Sequence, residues 1–206
     1  MNRRLRKDYY YRLAKKEGFR SRAAYKLIQI QEKYRFIKRG DVVVDLGAAP
    51  GGWLQVSRKI VGEDGFVLGV DVKPIKPLEY ENVKTLIADI KNSETIKLII
   101  GMLPEKADVV LSDLAPNVSG IWELDHARQI DLAEKALKIA SKILKIGGTF
   151  LVKLFQGDMT NNYISEARKL FSKVKLIKPK ASRARSAEIY LLCIGFRGLK
   201  ANVYMT

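Results

Sequence analysis

From residue 41 onward, short apolar segments alternate with amphipathic ones, and this alternation constrains the fold more than any other feature of the chain. Strands are predicted at residues 42–46, 66–70, 83–87, 107–111 and 149–154, with two more near 174–177 and 188–196. Helical periodicity predicts helices at about 53–61, 93–103, 125–144 and 163–171. Strands separated by helices of this length specify a parallel sheet that is covered on both faces. We therefore predict a doubly wound, Rossmann-like α/β sandwich with a mostly parallel seven-stranded sheet and an antiparallel last strand.

The segment before this alternation has a different character. Ser21 can cap a helix that runs to about Tyr34 and packs its apolar face on the core. With 206 residues, of which 47% are hydrophobic, the chain suits one domain with a substantial core. We expect a basic N-terminal extension and helix over residues 1–35 and a Rossmann-like core over residues 36–206.

A strong excess of positive charge points to a polyanionic partner. The chain has 38 Lys and Arg against 22 Asp and Glu, a formal net charge of +16. A Lys-rich surface of a thermophilic protein would also show such an excess. However, the basic residues cluster at 3–22, where aromatic residues are interleaved, and at 173–185, which contains no acid. This distribution favours nucleic acid, and the candidate RNA-binding residues are Arg20, Arg22, Lys180, Arg183 and Arg185.

A glycine-rich loop at residues 47–52 follows the first strand. Gly51 and Gly52 permit a sharp strand-to-helix turn, and small residues let a ligand approach the backbone. Asp71 ends the second strand, where a carboxylate receives ribose hydroxyls, and Asp89 closes the third, where it can accept from an adenine amino group. A tight turn and an exposed aspartate are the alternative interpretations. Together the residues predict an adenosine-containing ligand, and spacing alone leaves NAD and S-adenosylmethionine both open.

Three charged residues lie at the ends of later strands. Asp113 follows the fourth strand, Lys153 interrupts the otherwise apolar fifth strand, and Glu188 begins the last one. Because the last strand is predicted to be antiparallel, its start lies at the edge where strands four and five end. A lysine among apolar neighbours either extends its amine to solvent or has a paired, functional setting. We expect the three groups to converge beside the ligand crevice.

Other features bear on location and on metals. Cys193 lies in an apolar run and is expected to be a buried strand residue, so no disulfide is implied. The apolar stretches are too short to cross a bilayer, and no secretory signal is seen, which leads us to expect a cytoplasmic protein without membrane attachment. His126 is expected on a helix surface and no metal site is evident. We also expect a monomer.

Several long motifs, in this order, resemble those of the FtsJ/RrmJ family of RNA 2'-O-ribose methyltransferases, called RlmE in its ribosomal form, in an archaeal-type version. They are residues 18–27 (GFRSRAAYKL), 45–53 (DLGAAPGGW), 112–117 (SDLAPN) and 152–157 (VKLFQG), together with Arg183, Ser186, Glu188 and Tyr190. The resemblance covers nearly the whole chain.

The resemblance implies both the site and the reaction. It gives a catalytic tetrad of Lys26, Asp113, Lys153 and Glu188. It implies that S-adenosyl-L-methionine is held by Gly51, Trp53, Asp71, Asp89 and Asp113. Methyl transfer to a ribose hydroxyl needs the oxygen in line with the methyl group and a route for its proton. Lys153 is the expected base or oxygen-orienting group, and a cation on Lys26 would favour its neutral form.

The family resemblance further implies ribosomal RNA of the large subunit as the partner, with a uridine in the A-loop of 23S rRNA as the target. A tRNA anticodon loop is the alternative target, and related enzymes act on mRNA caps. More distant alternatives are an NAD-dependent oxidoreductase and a catalytically silent RNA-binding or ribosome-assembly factor. Methylation of a base amino group is disfavoured, because the loop at Asp113–Pro116 lacks the adjacent prolines and aromatic residue typical of such enzymes.

Overall fold

The computed structural model describes residues 9–183 and 185–199. Within these ranges no helix is both long and apolar enough to cross a membrane. The elements, in chain order, are α1 (Tyr9–Lys16), α2 (Ala24–Tyr34), β1 (Val42–Leu46), α3 (Gly52–Val61), β2 (Phe66–Asp71), β3 (Val83–Ile87), α4 (Glu94–Met102), β4 (Ala107–Ser112), α5 (Trp122–Ile143), β5 (Leu144–Phe155), α6 (Thr160–Leu170), β6 (Phe171–Ile177) and β7 (Glu188–Phe196).

The seven strands form one sheet in the order β3-β2-β1-β4-β5-β7-β6. Strands β1 to β5 pair in parallel, whereas β7 is antiparallel to both β5 and β6. The predicted fold class is therefore confirmed, including the antiparallel last strand. Strand order reverses between β1 and β4, and ligands of such sheets bind outside the carboxyl ends of the strands at this reversal.

Apolar side chains fill both faces of the sheet. Val44 and Leu46 of β1 belong to a core shared with α4, α5 and α6, whereas Val43 points into a second core shared with α2 and α3. This alternation follows from the period of two along a strand. Each fully buried Val, Leu or Ile side chain stabilises the fold by about 1.5–3 kcal/mol. The two cores hold the strand ends, and hence the polar residues that follow them, in fixed relative positions.

Helices α2, α5 and α6 begin at positions that differ from the prediction, and α6 begins at Thr160, three residues before its predicted start. Ser21 does not cap α2, which begins at Ala24 without a side-chain cap, because the Ser21 hydroxyl instead lies against Gly52 of α3. Helix α5 begins at Trp122, nearly one turn before the predicted start, because the Asp125 carboxylate accepts hydrogen bonds from the backbone N–H groups of the preceding turn, at Ser119 and Gly120. Helix α1 was not predicted.

Predictions for two single residues had opposite outcomes. Cys193 is fully buried in β7, as predicted. The prediction of a surface position for His126 is wrong, since the residue is only 5% exposed. The loop after β5 covers it: the Met159 N–H donates to His126 Nε2 at 3.1 Å, and a Cβ at Gly157 would come within 2.8 Å of the imidazole.

Candidate active site

A crevice of about 380 Å³ lies outside the carboxyl ends of β1 to β4. Asp71, Asp89 and Asp113, three of the predicted cofactor residues, line this crevice. The main chain on either side of them comes from the glycine-rich loop after β1 and from the loop after β4. The crevice therefore lies at the reversal of strand order, where the fold predicts a ligand.

The carboxylates of Asp71 and Asp89 are held in place by backbone N–H groups. Asp71 Oδ2 accepts from Ala49 N and Oδ1 accepts from Lys73 N, both at 2.9 Å, while Asp89 Oδ1 accepts from Lys91 N at 2.9 Å. Each carboxylate oxygen can accept a further hydrogen bond. These acceptors fit a ligand that presents hydroxyl and amino donors, as an adenosine group does.

Gly51 and Trp53, two other predicted cofactor residues, are not among the residues that line the crevice. A Cβ at Gly51, whose φ is +108°, would come within 2.9 Å of Arg20 Nη1. The Trp53 indole is 3% exposed and donates from Nε1 to the Ala23 carbonyl at 2.8 Å. The two residues can therefore reach a cofactor only through their backbone. Gly51 and Gly52 make room for Arg20 and Ser21, a close approach that the sequence interpretation had assigned to the ligand.

The four predicted catalytic residues form two ion pairs. Lys153 Nζ lies 2.6 Å from the Asp113 carbonyl oxygen and 3.2 Å from Asp113 Oδ1. Lys26 Nζ lies 2.7 Å from Glu188 Oε2. The Lys26 and Lys153 residues are 9% and 5% exposed, so both amines are largely removed from water. Removal of one partner of such an ion pair leaves an uncompensated buried charge.

Tyr190 connects the two pairs. The sequence interpretation had not included this residue in the site. Its hydroxyl donates to Asp113 Oδ1 at 2.7 Å, and Lys26 Nζ lies 5.8 Å from the centroid of its ring. Burial, and then the Asp113 and Glu188 carboxylates, hold the pKa of Tyr190 well above its ordinary value, so the hydroxyl stays a donor. A signal was available, because Tyr190 follows Glu188 by two residues on one strand.

Gln129 is a second residue that the sequence interpretation missed. It is buried on α5, and its Nε2 donates to the carbonyl oxygens of Lys153 at 2.9 Å and Leu114 at 3.2 Å. The amide thereby ties the end of β5 to the loop after β4. A glutamine on the apolar face of a helix was the only available signal for this contact.

Asp45, on β1, is the third such residue. It is completely buried, and neither of its carboxylate oxygens has a hydrogen-bond partner in the described part of the chain. Burial raises the pKa of Asp45 well above its ordinary value, and the nearby Asp113 and Asp71 carboxylates raise it further. The surroundings of Asp45 therefore favour its neutral, protonated form.

The five predicted RNA-binding residues separate into two groups. The Arg20 guanidinium donates to the backbone oxygens of Pro50, Lys76 and Pro77, so it holds two loops together rather than facing a ligand. Arg22 donates to the Ala181 carbonyl oxygen and is half-buried.

Lys180, Arg183 and Arg185 are exposed. Their loop is anchored by its other residues, because Ala181 N donates to Gln29 Oε1 and Ser182 Oγ donates to Glu188 Oε1, at 2.9 and 2.8 Å. The Arg20 guanidinium has partners within the protein, and its RNA-binding role stays a prediction. For the side chains of Lys180, Arg183 and Arg185 no hydrogen bond or ion pair is seen within the described ranges, and their loop contacts Glu188 through Ser182.

Known proteins share both the sequence and the fold. The family described as FtsJ-like methyltransferase matches residues 19–196. A ribosomal RNA large subunit methyltransferase E of Methanosarcina mazei is 58% identical over 188 residues, which span 91% of this chain and 69% of that protein. The protein of that name from Methanocaldococcus jannaschii is 49% identical over 198 residues, with coverages of 95% and 81%.

Solved structures include a Plasmodium falciparum protein described as a ribosomal RNA methyltransferase, with a TM-score of 0.78, 32% identity, and coverage of 88% of this chain and 100% of that one. Fibrillarin of Aeropyrum pernix, solved with S-adenosyl-L-methionine, has a TM-score of 0.62 at 17% identity, with coverages of 85% and 75%, a likeness of fold. The family match spans residues 19–196, which is most of the chain. The chain belongs to the FtsJ-like methyltransferase family.

Proposed function

We propose that this chain transfers a methyl group from S-adenosyl-L-methionine to a ribose 2'-hydroxyl of large-subunit ribosomal RNA. The observation that carries the proposal is the largely buried Lys153–Asp113 pair. Asp113 also lines the crevice, so the pair lies at its edge. The relatives described as ribosomal RNA large subunit methyltransferase E support the same class of substrate.

Lys153 has the geometry to act on a single oxygen atom. Its Nζ donates a hydrogen bond to the Asp113 carbonyl oxygen at 2.6 Å and forms an ion pair with the Asp113 carboxylate at 3.2 Å. A further position on the amine would face the substrate. As an N–H it donates to the 2'-oxygen and orients it, and as a lone pair it accepts the proton of the hydroxyl. In both forms the amine fixes the line along which the oxygen attacks.

Asp113, Tyr190, Lys26 and Glu188 position that amine. The Tyr190 hydroxyl donates to Asp113 Oδ1, and the Lys153 amine forms an ion pair with the same oxygen, so both contacts hold the carboxylate in place. Glu188 holds Lys26 on the other side of Tyr190. Such a connected network loses function when any member is removed, and the four tetrad charges act as one coupled unit.

The crevice is suited to hold the methyl donor. When it is bound, S-adenosyl-L-methionine supplies a methyl group activated by a positively charged sulfur. Asp71 would accept the ribose hydroxyls and Asp89 the adenine amino group, while Gly51 and Trp53 would contribute backbone groups. The carboxylates around the crevice also favour a cationic ligand.

The RNA would approach over the exposed basic loop that contains Lys180, Arg183 and Arg185. The family resemblance extends the proposal to a uridine in the A-loop of 23S rRNA, methylated by a monomer in the cytoplasm. Binding through such a surface weakens steeply as salt rises, because each phosphate contact releases counterions.

The test offers labelled S-adenosyl-L-methionine with purified large ribosomal subunits, naked large-subunit rRNA and tRNA. We expect label in the large subunit or its rRNA, at a linkage that resists alkaline cleavage, because a methylated 2'-oxygen cannot attack the adjacent phosphate. A labelled but cleavable linkage would mean methylation of a base, and label in tRNA alone would move the substrate to the anticodon loop. Absence of transfer to every RNA would contradict the proposed activity.

A further inference from the structure

One aromatic ring is exposed beside the catalytic strand. Trp122, the first residue of α5, is 44% exposed, although tryptophan is among the residues that gain most from burial. Val118 and Ile121, which precede it, are 70% and 59% exposed, so the ring belongs to an apolar patch. Exposed apolar patches of this kind mark binding sites more often than chance allows.

The Trp122 ring is held in place by stacking on the rings of His126 and Phe155. The Trp122 and His126 rings stack with their centroids 5.6 Å apart at 15°, and the Trp122 and Phe155 centroids are 6.3 Å apart at 24°. Met159 N donates to His126, and Gly157 packs against its imidazole, so His126 cannot move away. The indole is therefore exposed but preorganised.

The same helix face supports Lys153. Residues 122, 126 and 129 are spaced four and three apart, which places them on one face of α5. Gln129 donates to the Lys153 carbonyl oxygen, and Phe155 lies two residues after Lys153 on β5. The exposed indole thus lies at the carboxyl end of the strand that carries the proposed oxygen-orienting amine.

We propose that the exposed part of the Trp122 indole stacks on a base of the bound RNA next to the methylated ribose. This inference rests on the proposed function and names a base contact for it. A rigid, exposed aromatic ring is the group on which single-stranded bases stack, and it tolerates any base because every base has a π-face. Orientation of the base would in turn help to fix the attached ribose beside Lys153.

The kinetic test compares Trp122→Ala, Trp122→Phe and Ile146→Ala with the unaltered protein. Ile146 is 74% exposed but lies near the start of β5, at the opposite edge of the sheet, so it controls for the loss of an exposed apolar side chain. For Trp122→Ala we expect the KM for RNA to rise roughly 5- to 150-fold, the range that loss of one base–aromatic stack gives. The KM for S-adenosyl-L-methionine should stay constant, Trp122→Phe should recover most of the loss, and Ile146→Ala should behave like the unaltered protein.

A binding measurement keeps the inference testable if Trp122→Ala fails to fold. The chain has two tryptophans, and the other, Trp53, is 3% exposed. A single-stranded oligoribonucleotide should therefore quench the fluorescence of the unaltered protein but not that of Trp122→Phe, and an oligonucleotide of equal length without bases should quench neither.

Three outcomes would overturn the inference: an unchanged KM for RNA in Trp122→Ala, equal quenching by the two oligonucleotides, or a loss of activity confined to assembled subunits with naked RNA unaffected. The last would assign the patch to a protein partner. Failure of the unaltered protein to methylate any RNA would instead contradict the proposed function, while the quenching experiment would still report on stacking.

Discussion

The carboxyl edge of the sheet has two halves, which differ in whether their charged side chains form ion pairs. In the half formed by β4, β5 and β7, both lysines of the tetrad have a carboxylate within 3.2 Å. In the half formed by β1, β2 and β3, Asp71 and Asp89 form no ion pair with any residue in the described ranges. One half is electrostatically complete without a ligand, and the other is not.

The difference reflects what each half has to do. Groups that orient an attacking oxygen must be held rigidly, and internal pairs provide that rigidity. Groups that receive a ligand must keep acceptor positions available, so the protein holds them with backbone N–H groups only. Changes in the paired half should therefore affect turnover, and changes in the open half should affect cofactor affinity.

The largest expected effect is on turnover. Lys153→Ala should lower kcat by about 10²–10⁴-fold, the range attributed to a positioned proton-transfer group, while the affinity for S-adenosyl-L-methionine stays within a few-fold. Single-turnover methylation and calorimetric titration measure the two quantities. Lys97→Ala is the matched control, because Lys97 forms only an exposed pair with Glu94 on α4. Near-normal methylation by Lys153→Ala would remove this residue from the mechanism.

The next effect should be on the open half. Asp71→Asn should weaken cofactor binding by roughly 10- to 100-fold, because a hydrogen bond to a charged acceptor contributes about 1.5–3 kcal/mol. The rate at saturating cofactor should change little. Asp64→Asn, at an exposed surface pair with Arg39, serves as the control in the same calorimetric titration. A drop in kcat with unchanged affinity would mean that the two halves do not divide the work as described.

The distinction between internal and available charges extends to the basic residues. Arg183→Ala should weaken RNA binding several-fold and reduce the slope of log affinity against log salt by about 0.7–0.9, the contribution of one phosphate contact. Arg20→Ala should instead lower the midpoint of thermal unfolding, because it releases three backbone acceptors. Filter binding at several salt concentrations, with thermal melts, tests both. Equal salt slopes for Arg183→Ala and the unaltered protein would contradict the placement.

The smallest expected effect is on stability. The folded state raises the pKa of Asp45, so this residue contributes stability that is present below its ordinary pKa of 3.8 and is lost as pH rises toward the folded value. The Asn side chain of Asp45→Asn stays neutral at every pH. The free energy of unfolding of this variant, relative to that of the unaltered protein, should therefore be higher at pH 8 than at pH 4. Urea unfolding at both pH values measures it, and a constant difference would contradict a neutral Asp45.

Sequence patterns predicted the parts of the site that depend on strand ends. Asp71 and Asp89 were placed by their position after a strand, and Glu188 by the expected direction of β7, which the register Phe155↔Glu188 confirms. The pairing of the lysines was not predicted, since the sequence interpretation set Lys26 beside Lys153 as a cation. In the structure each amine has its own carboxylate, with Tyr190 between them.

The sequence by itself determined the doubly wound fold and the acids around the crevice, because apolar periodicity and residues that directly follow strands are local properties of the chain. Only the tertiary structure decided which charges face each other and which face solvent. In the amino-acid sequence, Arg20 and Arg183 are equivalent as basic residues of a predicted RNA-binding cluster. Arg20, however, meets carbonyl groups 30 to 57 positions away, and His126 is covered by a loop 33 positions away. Contacts between such distant residues arise only when both cores pack, and no local pattern encodes them.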